Sequence, residues 1–428
     1  MENFKGMDYL KAKLRQKRFG VERRYDYYEM KNVVPDMGIS TPPELRWWVE
    51  TLGWCSIAVD SLADRLVFRT FDNDVLDMSQ IFDDNNKDVL ADSAILSALI
   101  SSCSFIYIAN DENGYPRMRV IDGNHATGII DPVTNMLKEG YAVLEYNTVN
   151  EPILEAYFLP GTTFYYTEGV LTQVIKNDAP YPLLVPMINR PDAKRPFGHS
   201  RISRACMSIV RGAARTVKRS EIAAEFYSFP QKYVLGMSEE AEEMDKWNAA
   251  MSTMLRIDKD SDGDRPVVGQ FQSTSMSPHT EQLRMFAGLF AGETGLTLDD
   301  LGFPSQNPSS AEAIKSSHER LRLIARKAQR GFGTGFLNAG YLAACVRDKQ
   351  PYQRQELAKV IPKWEPIFEP DAASMSVIGD GIIKMNQAIP GYFGKDNTYD
   401  IVGVKPEGDD SISELILPGQ LDELIIEE

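Results

Sequence analysis

The feature that most constrains this chain is a change of hydrophobic period part-way along it. Across residues 8–100 apolar side chains recur at helical spacing, in runs at 10–18, 43–65 and 88–100. Pro42 and Pro43 follow Ser40 and Thr41 and precede Glu44, the composition of a helix start. From about 105 to 174 the pattern shortens to the runs SFIYIA, RMRVI, ATGII, YAVLEY, ILEAYFL and TTFYY, set apart by the turn formers DENG, DPVTN and PGT. Past residue 200 the helical period returns. A sequence patterned for one period does not settle into the other, so an antiparallel meander must sit between two helical parts. The expectation is an α+β fold.

At 428 residues the chain exceeds what one core of ordinary size organises, which predicts two or three substructures, some of them discontinuous in sequence. Hydrophobic residues at 43% and charged residues at 25% are ordinary for ordered proteins and argue against wholesale disorder. Cys55, Cys103, Cys206 and Cys345 show no CxxC or Cys/His spacing, so neither a disulfide framework nor a zinc site is indicated and a reducing cytosol fits. The N-terminal stretch MENFKGMDYLKAKLRQKRFG has no apolar core of a secretory signal. The longest uncharged stretch, 93–110, holds five serines and reads as a buried helix running into a strand, not as a membrane span.

A net charge of −15 ordinarily counts against nucleic acid as a partner, because phosphate binding needs Lys and Arg at the contact surface. The distribution is uneven, however. From Arg190 to Arg219 nine Lys or Arg face the single acid Asp192, whereas Glu407 to Glu428 carries eight acids and no Lys or Arg.

Beyond a proline-rich connector at 180–196, the pattern predicts a long helix at 200–226 and a strand in PQKYVLG. A helix at 238–255, the loop DKDSDGDRP and a strand in PVVGQFQ follow, then a helix at 279–294 and a loop at 302–310, GFPSQNPSS. A second long helix is expected over 311–347, with Gly331, Gly333 and Gly335 as a kink or break. A strand near 364–368, a helix at 372–387 and a weakly structured acidic end complete the reading.

The 200–226 helix is the most informative element, since each residue turns it by about 100° and faces can be assigned. Arg201, Arg204, Arg211, Arg215, Lys218 and Arg219 fall on one side, and Ile202, Cys206, Ile209, Ala213, Val217 and Ala224 on the other. A solvated surface helix normally mixes signs. Here no acid appears until Glu221, and like charges one turn apart repel, so the cationic side predicts an anionic partner. On the 279–294 helix Ala287, Gly288, Ala291 and Gly292 allow another helix to approach closely, an ordinary buried helix being the plain alternative. Lys315, Arg320, Arg322, Arg326, Lys327 and Arg330 give the 311–347 helix a second basic surface, diluted by Glu312 and Glu319.

Several resemblances to catalytic motifs fail on inspection. Asp258, Asp260, Asp262 and Gly263 open like a calcium loop, yet its twelfth position is Gly269 and Pro266 and Val267 stand where further ligands belong. The glycines at 331–335 have the wrong spacing for a phosphate loop, and there is no GxxxxGK[ST]. His125, His199, His279 and His318 form no HExxH. Asp60 and Asp64 stand four apart on one expected helix and carry the rival reading of a metal-dependent nucleic-acid-processing enzyme, a solvated face beside Arg65 being the plainer one. Otherwise no catalytic residue, metal or cofactor is expected.

Three stretches carry a family resemblance. They are PPELRWWVETLGWCSIAVDSLADRL at 42–66, then PFGHSRISRACMSIVRGAARTVKRSEIAAEFYSFPQKYVLG at 196–236 with its G-x-S-x-I helix start, and LGFPSQNPSSAEAIKSSHERLRLIARKAQRGFG at 301–333 with its NP-x-SAEAI start. With the parts between them they cover most of 42–387 and are similar to the phage portal family, in particular its branch from long-tailed phages of Gram-positive hosts. The resemblance implies a wing at 1–199, a stem helix at 200–226, an α/β clip at 227–278, a second stem helix at 279–301 and a tunnel loop at 302–310. It further implies a kinked helix returning to the wing at 311–371 and a short, mainly helical crown with an acidic tail at 372–428. It places Phe303, Pro304, Ser305, Gln306, Asn307, Pro308 and Ser309 in the tunnel loop and the basic 200–226 face toward DNA. It implies a dodecameric ring at one capsid vertex, a channel for double-stranded DNA in packaging and ejection. The partners it implies are terminase, head-completion or adaptor proteins, and the major capsid and scaffold proteins, with no membrane. The location is the virion, and the host cytoplasm during assembly. Another head-to-tail connector ring component is the alternative within the same field, set back by the long discontinuous layout.

Overall fold

The computed structural model describes residues 4–34, 47, 49–149, 151–228, 232–235, 267–270, 275–304, 316–368, 370 and 372–402. Among the described residues the chain opens with α1 (Met7–Tyr28), α2 (Trp54–Ala63) and α3 (Met78–Asp83), with the short strand β1 (Phe68–Asp72) between the last two. The expected helix at 10–18 is therefore longer, and that at 43–65 is described only as α2, since 35–46 and 48 lie outside the described residues. α4 (Lys87–Ser101) runs into β2 (Cys103–Asn110) as the uncharged stretch predicted. Ser102, at φ 98°, makes the turn between them.

The β region divides into two sheets. β4 (Ala126–Ile130), β5 (Leu137–Tyr146), β6 (Pro152–Leu159), β7 (Thr162–Thr167) and β8 (Val170–Lys176) form a five-stranded antiparallel meander in sequence order. β2 instead joins β3 (Pro116–Ile121) and β9 (Leu184–Ile188) in a three-stranded sheet of order β3-β2-β9. β9 lies inside the stretch read as a connector. Pro186 sits opposite Phe105 on β2, and β9 is an edge strand. An edge strand tolerates a proline because its outward side owes no ladder hydrogen bond. The proline that suggested a connector thus belongs to a buried strand.

After the second sheet come α5 (Arg204–Ser228), β10 (Lys232–Leu235), β11 (Val267–Gln270) and α6 (Ser277–Thr294). β10 and β11 pair antiparallel, Lys232 opposite Gln270. α7 (Glu319–Asp348) is followed by β12 (Ile361–Trp364), α8 (Ala372–Ala388) and α9 (Lys395–Val402). The strand expected at 364–368 lies slightly earlier. It pairs antiparallel with β1, Phe68 opposite Trp364, so residues far apart in sequence close one ribbon. Phe68 meets Phe336 at 4.9 Å and Trp364 at 5.6 Å between ring centroids, which seals that ribbon onto α7.

Of the kink or break expected at Gly331, Gly333 and Gly335, the break is absent: α7 runs continuously across all three. These glycines are contact points instead. A Cβ at Gly333 meets Pro362 of β12 at 3.1 Å, and one at Gly335 meets Met187 of β9 at 2.5 Å. Every residue from Phe336 to Val346 is buried, the signature of a helix inside a core rather than on it.

α1 is fastened separately, across the meander. Leu10 and Leu14 pack with Tyr141, Val143 and Tyr157 in a small second core. Two buried carboxylates complete the joint. Glu139 accepts hydrogen bonds from the backbone N–H groups of Lys5 (2.8 Å) and Gly6 (3.1 Å) and from the Tyr157 hydroxyl (2.8 Å). Glu155 accepts from Lys11 Nζ (2.8 Å) and from the Tyr141 hydroxyl. A buried acceptor with three donors cannot be removed without stranding them. Glu139→Ala is expected to lower unfolding stability by about 2 kcal/mol and to make α1 more sensitive to limited proteolysis. An unchanged denaturation midpoint and cleavage pattern would show that Leu10 and Leu14 hold the helix alone.

Candidate functional site

The segment leading into α5 determines how the basic helix is mounted. Gly198 has φ +72°, and a Cβ there would lie 2.1 Å from the Asn189 carbonyl oxygen, so only glycine fits. Ser200 Oγ donates to the Ile100 carbonyl (2.6 Å) and accepts from the Ile202 N–H (3.0 Å). The Arg201 N–H donates to the Leu99 carbonyl at 2.7 Å. In the G-x-S-x-I pattern the glycine therefore makes the turn, the serine ties the chain to the end of α4, and Ile202 is a buried apolar anchor.

Arg201 departs from its expected place. It precedes α5, so the helical angle that grouped it with the other basic residues does not apply, and it is only 7% exposed. Its Nε donates to the Ala58 carbonyl of α2 (3.1 Å) and its Nη2 to the Thr294 carbonyl at the end of α6 (2.6 Å). Burial pushes its pKa down to about 10, which leaves it charged at neutral pH. A cation is favoured at a helix C-terminus, where unsatisfied carbonyls concentrate negative potential. A second arginine reaches the same terminus: Arg320 of α7 donates to the Gly292 carbonyl. Arg201 is a structural clamp, missed by sequence reasoning because the pattern carried no marker for where α5 begins.

α5 and α6 run antiparallel. Contacts descend α6 as they ascend α5: Ser203 donates to Glu293 (2.8 Å), a Cβ at Gly212 would touch the Phe286 ring (2.9 Å), and Thr216 donates to Gln282 (3.2 Å). Cys206, Val210, Ala213 and Ala214 are buried on α5, and the first three meet Ala287, Phe290 and Ala291 in one core. The small residues of α6 are therefore split. Ala287 and Ala291 are buried in the core shared with α5, while a Cβ at Gly288 or Gly292 would meet nothing within 4 Å among the described residues. On the other side of α5, Arg204, Arg211 and Arg219 are exposed and Arg215 and Lys218 half-buried. Five of the six expected basic residues share that side.

The other expected sites are only partly described. Phe303 is half-buried against the main core and Pro304 is exposed, whereas Ser305, Gln306, Asn307, Pro308 and Ser309 lie outside the described residues, as does Lys315. On α7, Arg322 makes a two-pronged ion pair with Glu319 (2.7 Å each), whose carboxyl those hydrogen bonds hold below its usual range. Arg320 and Arg322 are thus engaged within the chain, and the more open cations are Arg326, Lys327 and Arg330. The calcium-like loop at 258–269 lies almost wholly outside the described residues. Asp60 accepts a hydrogen bond from the Tyr28 hydroxyl (2.9 Å), and its pKa is raised by burial. Among the described residues no three His, Cys, Asp or Glu side chains gather as metal ligands, no helix is long and apolar enough to cross a membrane, and all four cysteines are free.

The sequence is 26% identical over 321 residues to the portal protein of Mycobacterium phage L5, a match covering 69% of this chain and 65% of that protein. It is 25% identical over 342 residues to the portal protein of Mycobacterium phage D29, covering 74% and 69%. This chain is similar to phage portal proteins. The likeness spans about two thirds of the length of those portal proteins. No family model matches. A chain in the virion of a native gene transfer agent particle superposes with a TM-score of 0.43 at 13% identity, over 83% of this chain and 90% of that one, below the level at which a shared fold follows.

In this portal-like chain, Arg201→Met keeps much of the side-chain volume and removes the donors to Ala58 and Thr294. Unfolding stability is expected to fall by about 1–3 kcal/mol, the range for stranded buried acceptors. Equal stability in chemical denaturation would show that the methionine replaces the clamp.

Proposed function

We propose that this chain is a portal subunit: it assembles into a dodecameric ring at a unique capsid vertex and forms the channel for packaging and ejecting double-stranded DNA. The observation that carries the reading is its similarity to two phage portal proteins over about seventy per cent of the chain. The α5/α6 pair supports it independently, as two antiparallel helices with an arginine-rich outer side. In this reading α5 and α6 are the stem, the intervening part with the β10–β11 ribbon is the clip, and 302–310 is the tunnel loop. α1 to α4 with both sheets, and the chain from α7 through β12, make the wing, with the crown after residue 372. The clip meets terminase and then head-completion or adaptor proteins, and the ring sits among major capsid and scaffold proteins. The host cytoplasm is where assembly occurs.

A channel that passes DNA of any sequence should touch phosphates rather than base edges, and weakly enough for sliding. Exposed arginines on a chain of net charge −15 suit that requirement, since attraction is local and the remainder repels. The chemistry is passive in this role; the work of translocation belongs to a separate motor.

Two measurements test the reading. Light scattering of the purified chain is expected to give a mass near twelve times 48.1 kDa, with a central hole in negative-stain images. A monomer both alone and with scaffold protein would overturn it. Arg211→Glu with Arg215→Glu is expected to weaken DNA association and flatten its salt dependence, since each lost phosphate contact removes about one unit of slope. Normal rings with unaltered packaging and salt slope would take those residues out of the channel.

A further inference from the structure

A groove of about 770 Å³ opens between α7 and β12, walled by Leu323, Arg326, Arg330, Leu337, Ile361 and Trp364. Its apolar side chains are unusually open, with Leu323 54% and Ile361 53% exposed. Arg326 and Arg330 stand one helical turn apart at its rim, both exposed. Among the described residues neither makes an ion pair, unlike Arg322 on the same helix. Like charges one turn apart repel, and open apolar surface beside them favours cover. The complementary ligand is an anionic segment with apolar side chains.

The sequence carries such a segment beyond the last described helix. α9 is fixed to the β1–β12 ribbon by Asp400, which accepts from Arg69 (2.6 Å) and from Lys363. The Arg69 guanidinium lies 3.9 Å from the centre of the Tyr399 ring, and the Tyr399 hydroxyl donates to Glu365 (2.9 Å). Lys363 stands between Pro362 and Trp364, which both wall the groove; successive side chains of a strand point to opposite faces, so α9, which ends at Val402, meets the face of β12 turned away from those two. The sequence beyond carries eight acids and no Lys or Arg from Glu407 to Glu428. It also carries Ile412, Leu415 and Ile416, then Leu421, Leu424 and Ile425, both sets at the spacing of one helical side. Fully extended, residues 403–428 span roughly 86–94 Å, enough to pass around a single strand.

We propose that the acidic segment 407–428 docks in the α7–β12 groove of its own subunit, its apolar side chains on Leu323 and Ile361 and its carboxylates on Arg326 and Arg330. Docked there it covers two exposed cations of α7 and competes with any other polyanion for them. This does not depend on the portal reading.

Hydrogen–deuterium exchange of the full chain tests it. In the wild type, amides across 411–428 are expected to exchange at least tenfold more slowly than an unprotected chain. Arg326→Glu with Arg330→Glu should abolish that protection while the amides of α7 and β12 keep theirs. Asp422→Lys with Glu423→Lys should abolish it equally from the tail side, and the fourfold charge swap should restore it. Unprotected wild-type tail amides, or protection that survives the Arg326/Arg330 reversal, would overturn the proposal. The subunit is assigned by Arg330→Cys with Glu423→Cys: a cross-linked monomer on a non-reducing gel is expected, and a cross-linked dimer would overturn docking within one subunit.

Discussion

The mounting of α5 rests on one buried guanidinium. Taking a charge out of water costs several kcal/mol, and among the described residues Arg201 has no carboxylate in ion-pair contact to offset it. What offsets it is geometry. One carbonyl in α2 and one at the C-terminus of α6 point at the same side chain, and the second adds the negative end of a helix dipole. The positions of three elements are thereby coupled, because a small rotation of α6 separates Thr294 from the charge. Gly198 and Ser200 place Arg201 by tying the preceding backbone to Asn189 and to the end of α4. A short run of sequence thus fixes the start of α5 against α2, α4 and α6.

α7 poses the complementary constraint. A helical stretch buried on every side must present small residues wherever its neighbours cross it, and Gly333, Gly335 and Gly340 do so against β12, β9 and Met78. Its first half carries the arginines and its second half none until Arg347. The same helix is therefore core at one end and charged surface at the other. That division places Arg326 and Arg330 at the edge of the body, beside β12, rather than deep within it.

Much of this was legible in the sequence. The change of period gave the α+β class and the meander, and the run of arginines without acids gave the cationic side of α5. What was not legible follows from what periodicity cannot encode. Pro186 looked like a connector because a single sequence does not say which strand will lie at an edge. Gly331, Gly333 and Gly335 looked like a helix break because propensity describes an isolated helix, whereas here tertiary contact outweighs about 1 kcal/mol per glycine. Arg201 was placed on the wrong side because one turn of helix was assumed where the chain is still irregular. In each case the deciding partner lies many residues away.

The split of the small residues on α6 bears on assembly in a way that the sequence alone concealed. Read as one stripe, Ala287, Gly288, Ala291 and Gly292 would serve a single neighbour. In the fold, the alanines are used by α5 and the glycines face open space, flanked by Met285 at 52% and Leu289 at 54% exposure. A glycine in a helix interior costs stability relative to alanine, and nothing within the described chain compensates at Gly288 and Gly292. Beside that glycine face runs the cationic side of α5, so the antiparallel pair presents a small-residue strip next to a basic one.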